Sequence, residues 1–192
     1  MMKKWLIAAA CSMMVAAPAG YALAQGAPGS RADYDAAVKT ANANYKSARA
    51  QCDSLKDNAK DVCVKEAKRD QDVAKANAEA TRDGTAKARA KAEKTKADSD
   101  YAVAKEKCDD RKGNDKDVCA KEAKAAHERA LGAANVDKAA ATGTSTDVAE
   151  ARRDAKKDTL DASYKADKEK CDALSGDAKD KCQANVQTRY GK

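Results

Sequence analysis

The sequence predicts an all-α protein of tandem antiparallel helical hairpins, each closed by one disulfide, with an elongated rather than globular shape. Three observations predict it: an abundance of helix formers, cysteines in evenly spaced pairs, and heptad spacing of small apolar residues. Alanine supplies 47 of the 192 residues, and there are 38 Lys and Arg, 31 Asp and Glu, and no Phe. Such a composition favours helix but provides few large apolar side chains. It therefore argues against enzyme folds that surround a dry pocket.

The N-terminal segment has the pattern of an export signal. Two lysines precede the apolar run Trp5–Ala17, and small residues lead up to Ala24, after which we expect cleavage. The run is shorter than the roughly 20 residues that span a bilayer. We therefore interpret residues 1–24 as a signal peptide and 25–30 as a disordered leader, with no transmembrane segment after cleavage. An uncleaved membrane anchor is the alternative.

Cleavage would remove Cys11 and leave six cysteines, which an exported protein can oxidise to disulfides. Each pair has ten residues between its members, a Tyr seven residues before the first Cys, and Lys or Arg three residues before it. Six cysteines allow fifteen connectivities. Because the two cysteines of a repeat stand level across an antiparallel hairpin, we predict pairing within each repeat. The pairs are Cys52–Cys63, Cys108–Cys119 and Cys171–Cys182.

The repeats define three predicted hairpin units, at residues 31–82, 83–131 and 147–190, with a looser Gly- and Thr-rich linker at 132–146. The sequence Asp83-Gly84-Thr85 interrupts the helical pattern between the first two units. A lone Gly costs a helix only about 1 kcal/mol. The sequence therefore allows two alternatives, which are one long, kinked helix over residues 59–110 or two helices separated by a break at Gly84.

Heptad spacing predicts which face of each helix is buried. The first unit places on one face Tyr34, Val38, Ala41, Tyr45, Ala48, Cys52 and Leu55. The second unit places on one face Cys119, Ala123, Ala126, Ala130 and Ala133. The third unit carries the charged Asp167 at such a position, so we expect it to be the weakest.

The second helix of each hairpin is expected to begin with a polar N-cap, since Asn and Asp side chains accept hydrogen bonds from free backbone N–H groups. The expected caps are Asn58, Asn114 and Asp177. Gly113 and Gly176 precede two of them, where a helix end favours Gly. Asp57 occupies this position in the first unit, so the turn there departs from the glycine pattern of the other two.

The lone histidine, His127, is expected to pack beside Tyr101, because the two positions are mirror images across the second turn. The same arithmetic places Tyr164 opposite Arg189 and Tyr190, and Tyr45 opposite Asp70 and Gln71. A catalytic or metal-bound His127 is the alternative, but no second His or nearby nucleophile accompanies it. The cysteine spacing also does not fit zinc. We therefore predict no catalytic, cofactor-binding or metal-binding residues.

Charge is spread over mixed-sign surfaces, with short basic clusters at Arg152-Arg153 and Lys156-Lys157. A nucleic-acid-binding protein would present a continuous basic face with aromatic side chains for stacking. We therefore expect no nucleic-acid partner. Weak attraction to an anionic envelope polymer, decreasing with salt, is compatible with the net positive charge.

The repeated Tyr-x3-Lys/Arg-x2-Cys-Asp, followed by Lys-Asp-x-Cys, resembles small exported proteins of Gram-negative proteobacteria that are loosely labelled cell-envelope or TolA-like. The resemblance covers residues 34–190 and implies a periplasmic location, but it implies no activity. Two function classes follow. The first is a non-enzymatic structural or interaction protein that presents its hairpins to an envelope protein or polymer. The alternative is a periplasmic binding or stress module that binds a metal or small ligand or senses oxidants.

Overall fold

The computed structural model describes residues 29–192, and the prediction of an all-α fold is confirmed for them. The signal peptide, its cleavage site at Ala24, Cys11 and residues 25–28 of the expected leader lie outside the described residues. The helices are α1 Arg31–Cys52, α2 Asp57–Asp83, α3 Ala86–Cys108, α4 Gly113–Thr142, α5 Ser145–Lys170 and α6 Gly176–Tyr190. A short 3-10 turn, Cys171–Ala173, links the last two.

Successive helices run antiparallel, and each packs against its neighbours along the chain, with the contact between α4 and α5 much more extensive than that between α5 and α6. The three disulfide-linked turns, which join α1 to α2, α3 to α4 and α5 to α6, therefore lie at one end of the array. Ion pairs join neighbouring hairpins close to this end. Lys107 on α3 lies 2.6 Å from Glu66 on α2, and Lys170 on α5 lies 2.9 Å from Glu122 on α4.

The chain breaks at Gly84, so residues 59–110 form two antiparallel helices rather than one kinked helix. Gly84 adopts a left-handed conformation, with φ +62°, and ends α2. Thr85 then starts α3, since its hydroxyl accepts a hydrogen bond from the Ala88 backbone N–H at 3.1 Å. The left-handed conformation makes a glycine favourable at this turn.

The expectation of a loose linker at residues 132–146 is wrong, because α4 continues through Gly132 to Thr142. Gly132 is buried in the α4–α5 contact, where a Cβ would lie 2.7 Å from that of Ala155. This glycine permits close helix packing and does not loosen the chain. Only Gly143 and Thr144 form the turn, and Thr144 makes a capping box with Asp147.

The buried residues are mostly alanines, together with the first cysteine of each pair. On α1, Ala41 and Cys52 are buried and the predicted face is confirmed, except at Leu55, which lies in the turn and is 41% exposed. On α4, Ala123 is buried and Cys119 is partly buried in its disulfide, as predicted, but the rest of the predicted face is wrong. The exposed residues of the predicted α4 face are Ala126, Ala130 and Ala133. The reason is that α4 packs between α3 and α5 and buries residues toward both neighbours.

The predicted N-caps are also wrong. The N-caps of α2, α4 and α6 lie two residues earlier than expected, and none of them makes a side-chain capping hydrogen bond. Their first residues, Asp57, Gly113 and Gly176, have φ values of +49°, +55° and +52°. Asn58 instead donates its side-chain N–H to the Glu106 carbonyl on α3, at 3.1 Å. It thereby ties the first hairpin to the second.

Candidate functional site

The most regular feature of the molecule is its set of three hairpin tips, which we define as residues 52–63, 108–119 and 171–182. Each tip is closed by the predicted disulfide, and the two Cα atoms lie 5.6 Å apart in all three. This separation lies within the ordinary range for disulfides. The Cys52–Cys63, Cys108–Cys119 and Cys171–Cys182 pairings therefore agree with the sequence prediction.

The first cysteine of each tip is almost completely shielded from solvent. Cys52 and Cys171 are 0% exposed and Cys108 is 2% exposed, whereas their partners are partly buried. Thiol–disulfide exchange requires a thiolate to reach a sulfur atom, so burial of one sulfur limits attack. The arrangement suits a disulfide that holds two helices together.

An ion pair crosses every tip beside its disulfide. The aspartate after the first cysteine contacts the lysine three residues before the second: Asp53–Lys60 at 3.0 Å, Asp109–Lys116 at 2.7 Å and Asp172–Lys179 at 2.7 Å. The hydrogen bond that Lys116 donates to Asp109 raises the pKa of Lys116. These contacts explain why Cys-Asp and Lys-Asp-x-Cys recur together in the repeats, a link that sequence reasoning missed.

The third residue after the first cysteine occupies the outer surface of each tip. Its backbone N–H donates to that cysteine's carbonyl, at 3.1 Å from Leu55, 3.0 Å from Arg111 and 3.0 Å from Leu174. Leu55 and Leu174 are 41% and 43% exposed. Large apolar side chains are therefore presented to solvent on two of the three tips.

The aromatic contacts agree with the mirror positions predicted from the sequence. Tyr101 and His127 stack with ring centroids 4.7 Å apart, and Tyr164 packs edge-on against Tyr190 at 5.8 Å. In the first hairpin, Gln71 donates to the Asn42 side-chain oxygen at 2.9 Å, one helical turn from Tyr45.

His127 also contacts a carboxylate, which sequence reasoning did not anticipate. Its Nε2 lies 2.7 Å from Oδ1 of Asp98, while its Nδ1 is buried and has no hydrogen-bond partner among the described residues. Burial opposes ionisation of Asp98, but hydrogen bonds from His127 and Lys94 outweigh it and lower the pKa of that carboxyl. The cluster joins α3 to α4.

Asp167, expected to weaken the third hairpin, is the centre of a hydrogen-bond network there. The Tyr190 hydroxyl donates to it at 2.8 Å, Arg189 at 3.2 Å and Lys170 at 3.1 Å. Burial would raise the pKa of Asp167, but the hydrogen bonds from Tyr190 and Lys170 outweigh it, and the pKa is lowered. The charge therefore has partners on both helices.

Within residues 29–192, no group of three or more His, Cys, Asp or Glu side chains is arranged to hold a metal ion. Over the same residues, no helix is both long enough and apolar enough to cross a membrane. The chain matches no protein family, no curated protein and no solved structure.

Proposed function

We propose that the chain is a non-enzymatic structural or interaction protein of the cell envelope that presents its disulfide-linked hairpins to a partner protein in the periplasm. The observation that carries the proposal is the set of three similarly built tips at one end of the array. Each tip combines a shielded disulfide with a crossing ion pair. Such tips are rigid, and rigid surfaces lose little conformational entropy on binding.

The exposed leucines support the tips as the contact surface. The described chain has few large apolar side chains, yet Leu55 and Leu174 face solvent rather than the helix contacts. Exposed apolar side chains on a preformed surface favour protein contact, because binding removes them from water.

Site-specific photo-crosslinking in the cell that encodes the chain tests the proposal. A photoreactive residue replaces Leu55 or Leu174, and a matched control replaces Lys87, which is exposed at the opposite end of the array. We expect both tip positions to label the same envelope protein and Lys87 not to label it. Labelling of no common protein from the two tips would refute the proposal.

The periplasmic location is tested separately. The N-terminal sequence supports export, with cleavage after Ala24. Mass spectrometry of the periplasmic fraction should find a chain that starts at Gln25 with six oxidised cysteines. A cytoplasmic chain with free thiols would refute the location.

A periplasmic binding or stress module is the second candidate. The observation that favours it is the partly enclosed His127 beside Asp98, with an unpaired Nδ1. Calorimetric titration with Zn²⁺ and titration of the disulfides with glutathione buffers test this candidate. Stoichiometric zinc binding that His127→Gln abolishes, or reduction of one disulfide at a periplasm-like potential, would favour it over a structural role.

A further inference from the structure

A shallow groove runs between α4 and α5 on a part of the surface that the tips do not include. Gly132 and Val136 of α4 and Ala155 and Leu160 of α5 contribute its apolar lining. The two helices pack closely at Gly132 and Ala155, where a Cβ on Gly132 would lie 2.7 Å from that of Ala155. The groove is open to solvent along one side.

The apolar lining includes a leucine that is exposed in the middle of a helix. Leu160 is 43% exposed, and the other exposed leucines lie in the tips. Val136 is half-buried beside it in the groove. Covering the exposed part of the Leu160 side chain removes apolar surface from water, so this site favours an apolar contact.

The rim of the groove is basic. Arg129, Arg152 and Lys156 line it, together with the single carboxylate Asp137. All three cations are exposed, and none forms an ion pair among the described residues. Lys157 on the same helix, by contrast, lies 3.3 Å from Asp161. The rim cations are therefore available to carboxylates from outside the chain.

Shape and charge together indicate the occupant. A groove between two antiparallel helices matches the width of a third helix, whose apolar side chains pack at i, i+3, i+4 and i+7. An open groove encloses too little of a small ligand to bind it tightly. Two arginines can also bind carboxylates through paired hydrogen bonds, which fixes the orientation of a bound helix.

We infer that this groove binds an amphipathic helix of a partner protein, with an apolar stripe flanked by Glu or Asp side chains. The inference rests on the proposed interaction function and names the chemistry of one partner segment. It places this contact on the α4–α5 face, distinct from the tips.

The test uses the oxidised chain from Gln25 and a library of displayed helical peptides selected against it. We expect selected peptides to share a leucine stripe flanked by Glu, and a control peptide with Lys in place of Glu to bind at least tenfold more weakly. The variant Arg152→Glu/Lys156→Glu should lose the acidic peptide and gain the Lys peptide. Leu160→Ser should weaken both peptides at least tenfold.

The matched control is Arg153→Glu/Lys157→Glu, which makes the same charge change on α5 but outside the groove lining. It should retain binding of the acidic peptide, and circular dichroism checks that every variant is folded. Equal effects of the two double variants would overturn the inference. So would Leu160-dependent binding to phosphatidylglycerol vesicles without peptide binding, since the occupant would then be a membrane surface.

The outcomes also separate this inference from the proposed function. Crosslinking from Leu55 and Leu174 depends only on the tips, so success there with failure of the peptides would overturn the groove inference alone. Failure at both surfaces would overturn both.

Discussion

The first residue of the second helix in each hairpin is glycine in two hairpins and aspartate in the first hairpin. The effect of glycine at this position can therefore be tested by removing it from one hairpin and by introducing it into another. Asp57, Gly113 and Gly176 occupy equivalent positions with φ values between +49° and +55°. A left-handed conformation costs an L-residue with a Cβ about 1–2 kcal/mol, and Asp less than most. Glycine has no such penalty, although it loses more entropy on folding.

Gly113→Ala should therefore destabilise the protein, and Asp57→Gly should stabilise it. A Cβ at Gly113 would meet nothing within 4 Å, so the expected loss of about 1 kcal/mol is conformational and not steric. Asp57→Gly should add about 0.5 kcal/mol after the entropy loss of glycine. Each kcal/mol corresponds to about 2–4 °C in Tm for a chain of this size.

The assay is chemical unfolding of the oxidised chain, followed by circular dichroism at 222 nm. Asp57→Ala serves as the control, because it removes the carboxylate but keeps a Cβ at positive φ. It should not reproduce the gain of Asp57→Gly. Equal stability of Asp57→Ala and Asp57→Gly, or an unchanged midpoint for Gly113→Ala, would refute the reasoning.

Two further predictions concern packing and charge. Gly132→Val should destabilise the α4–α5 contact by about 1–3 kcal/mol, because even a Cβ would lie 2.7 Å from that of Ala155; an unchanged Tm would contradict the close approach. Asp167, with its lowered pKa, should contribute stability above the ordinary aspartate pKa of about 3.9 that is lost as the pH falls through its lower folded value. Asp167→Asn should flatten the dependence of Tm on pH in that range, and an unchanged slope would contradict the network.

The helical class, the disulfide pairing and the Tyr101–His127 contact could be predicted because they depend on local spacing. A hairpin with a short turn fixes which residues face one another, so equal distances from the turn predict contacts such as Tyr164–Tyr190. No knowledge of the rest of the fold is needed for these contacts.

The remaining features depend on how hairpins pack against each other, which spacing within one hairpin does not define. Gly132 lies in a segment whose composition is typical of a loose linker. In the structure, however, the absence of a side chain at this position permits a close contact with Ala155 on the next helix. Asn58 had the signature of a cap, but it donates to Glu106 on the neighbouring hairpin. Composition also could not show that Arg152 and Lys156 border a groove, because this required the position of α4.

We infer that the disulfides hold together an array whose alanine contacts bury little surface. Each closes a separation of 11 residues, which on the chain-entropy model contributes about 3 kcal/mol. Three such contributions are comparable with the whole stability of a typical domain, about 5–15 kcal/mol. The most direct measurement is thermal unfolding by circular dichroism with and without reductant, with complete reduction verified by thiol labelling. We predict a marked loss of helicity and Tm on reduction; superimposable curves would contradict the claim.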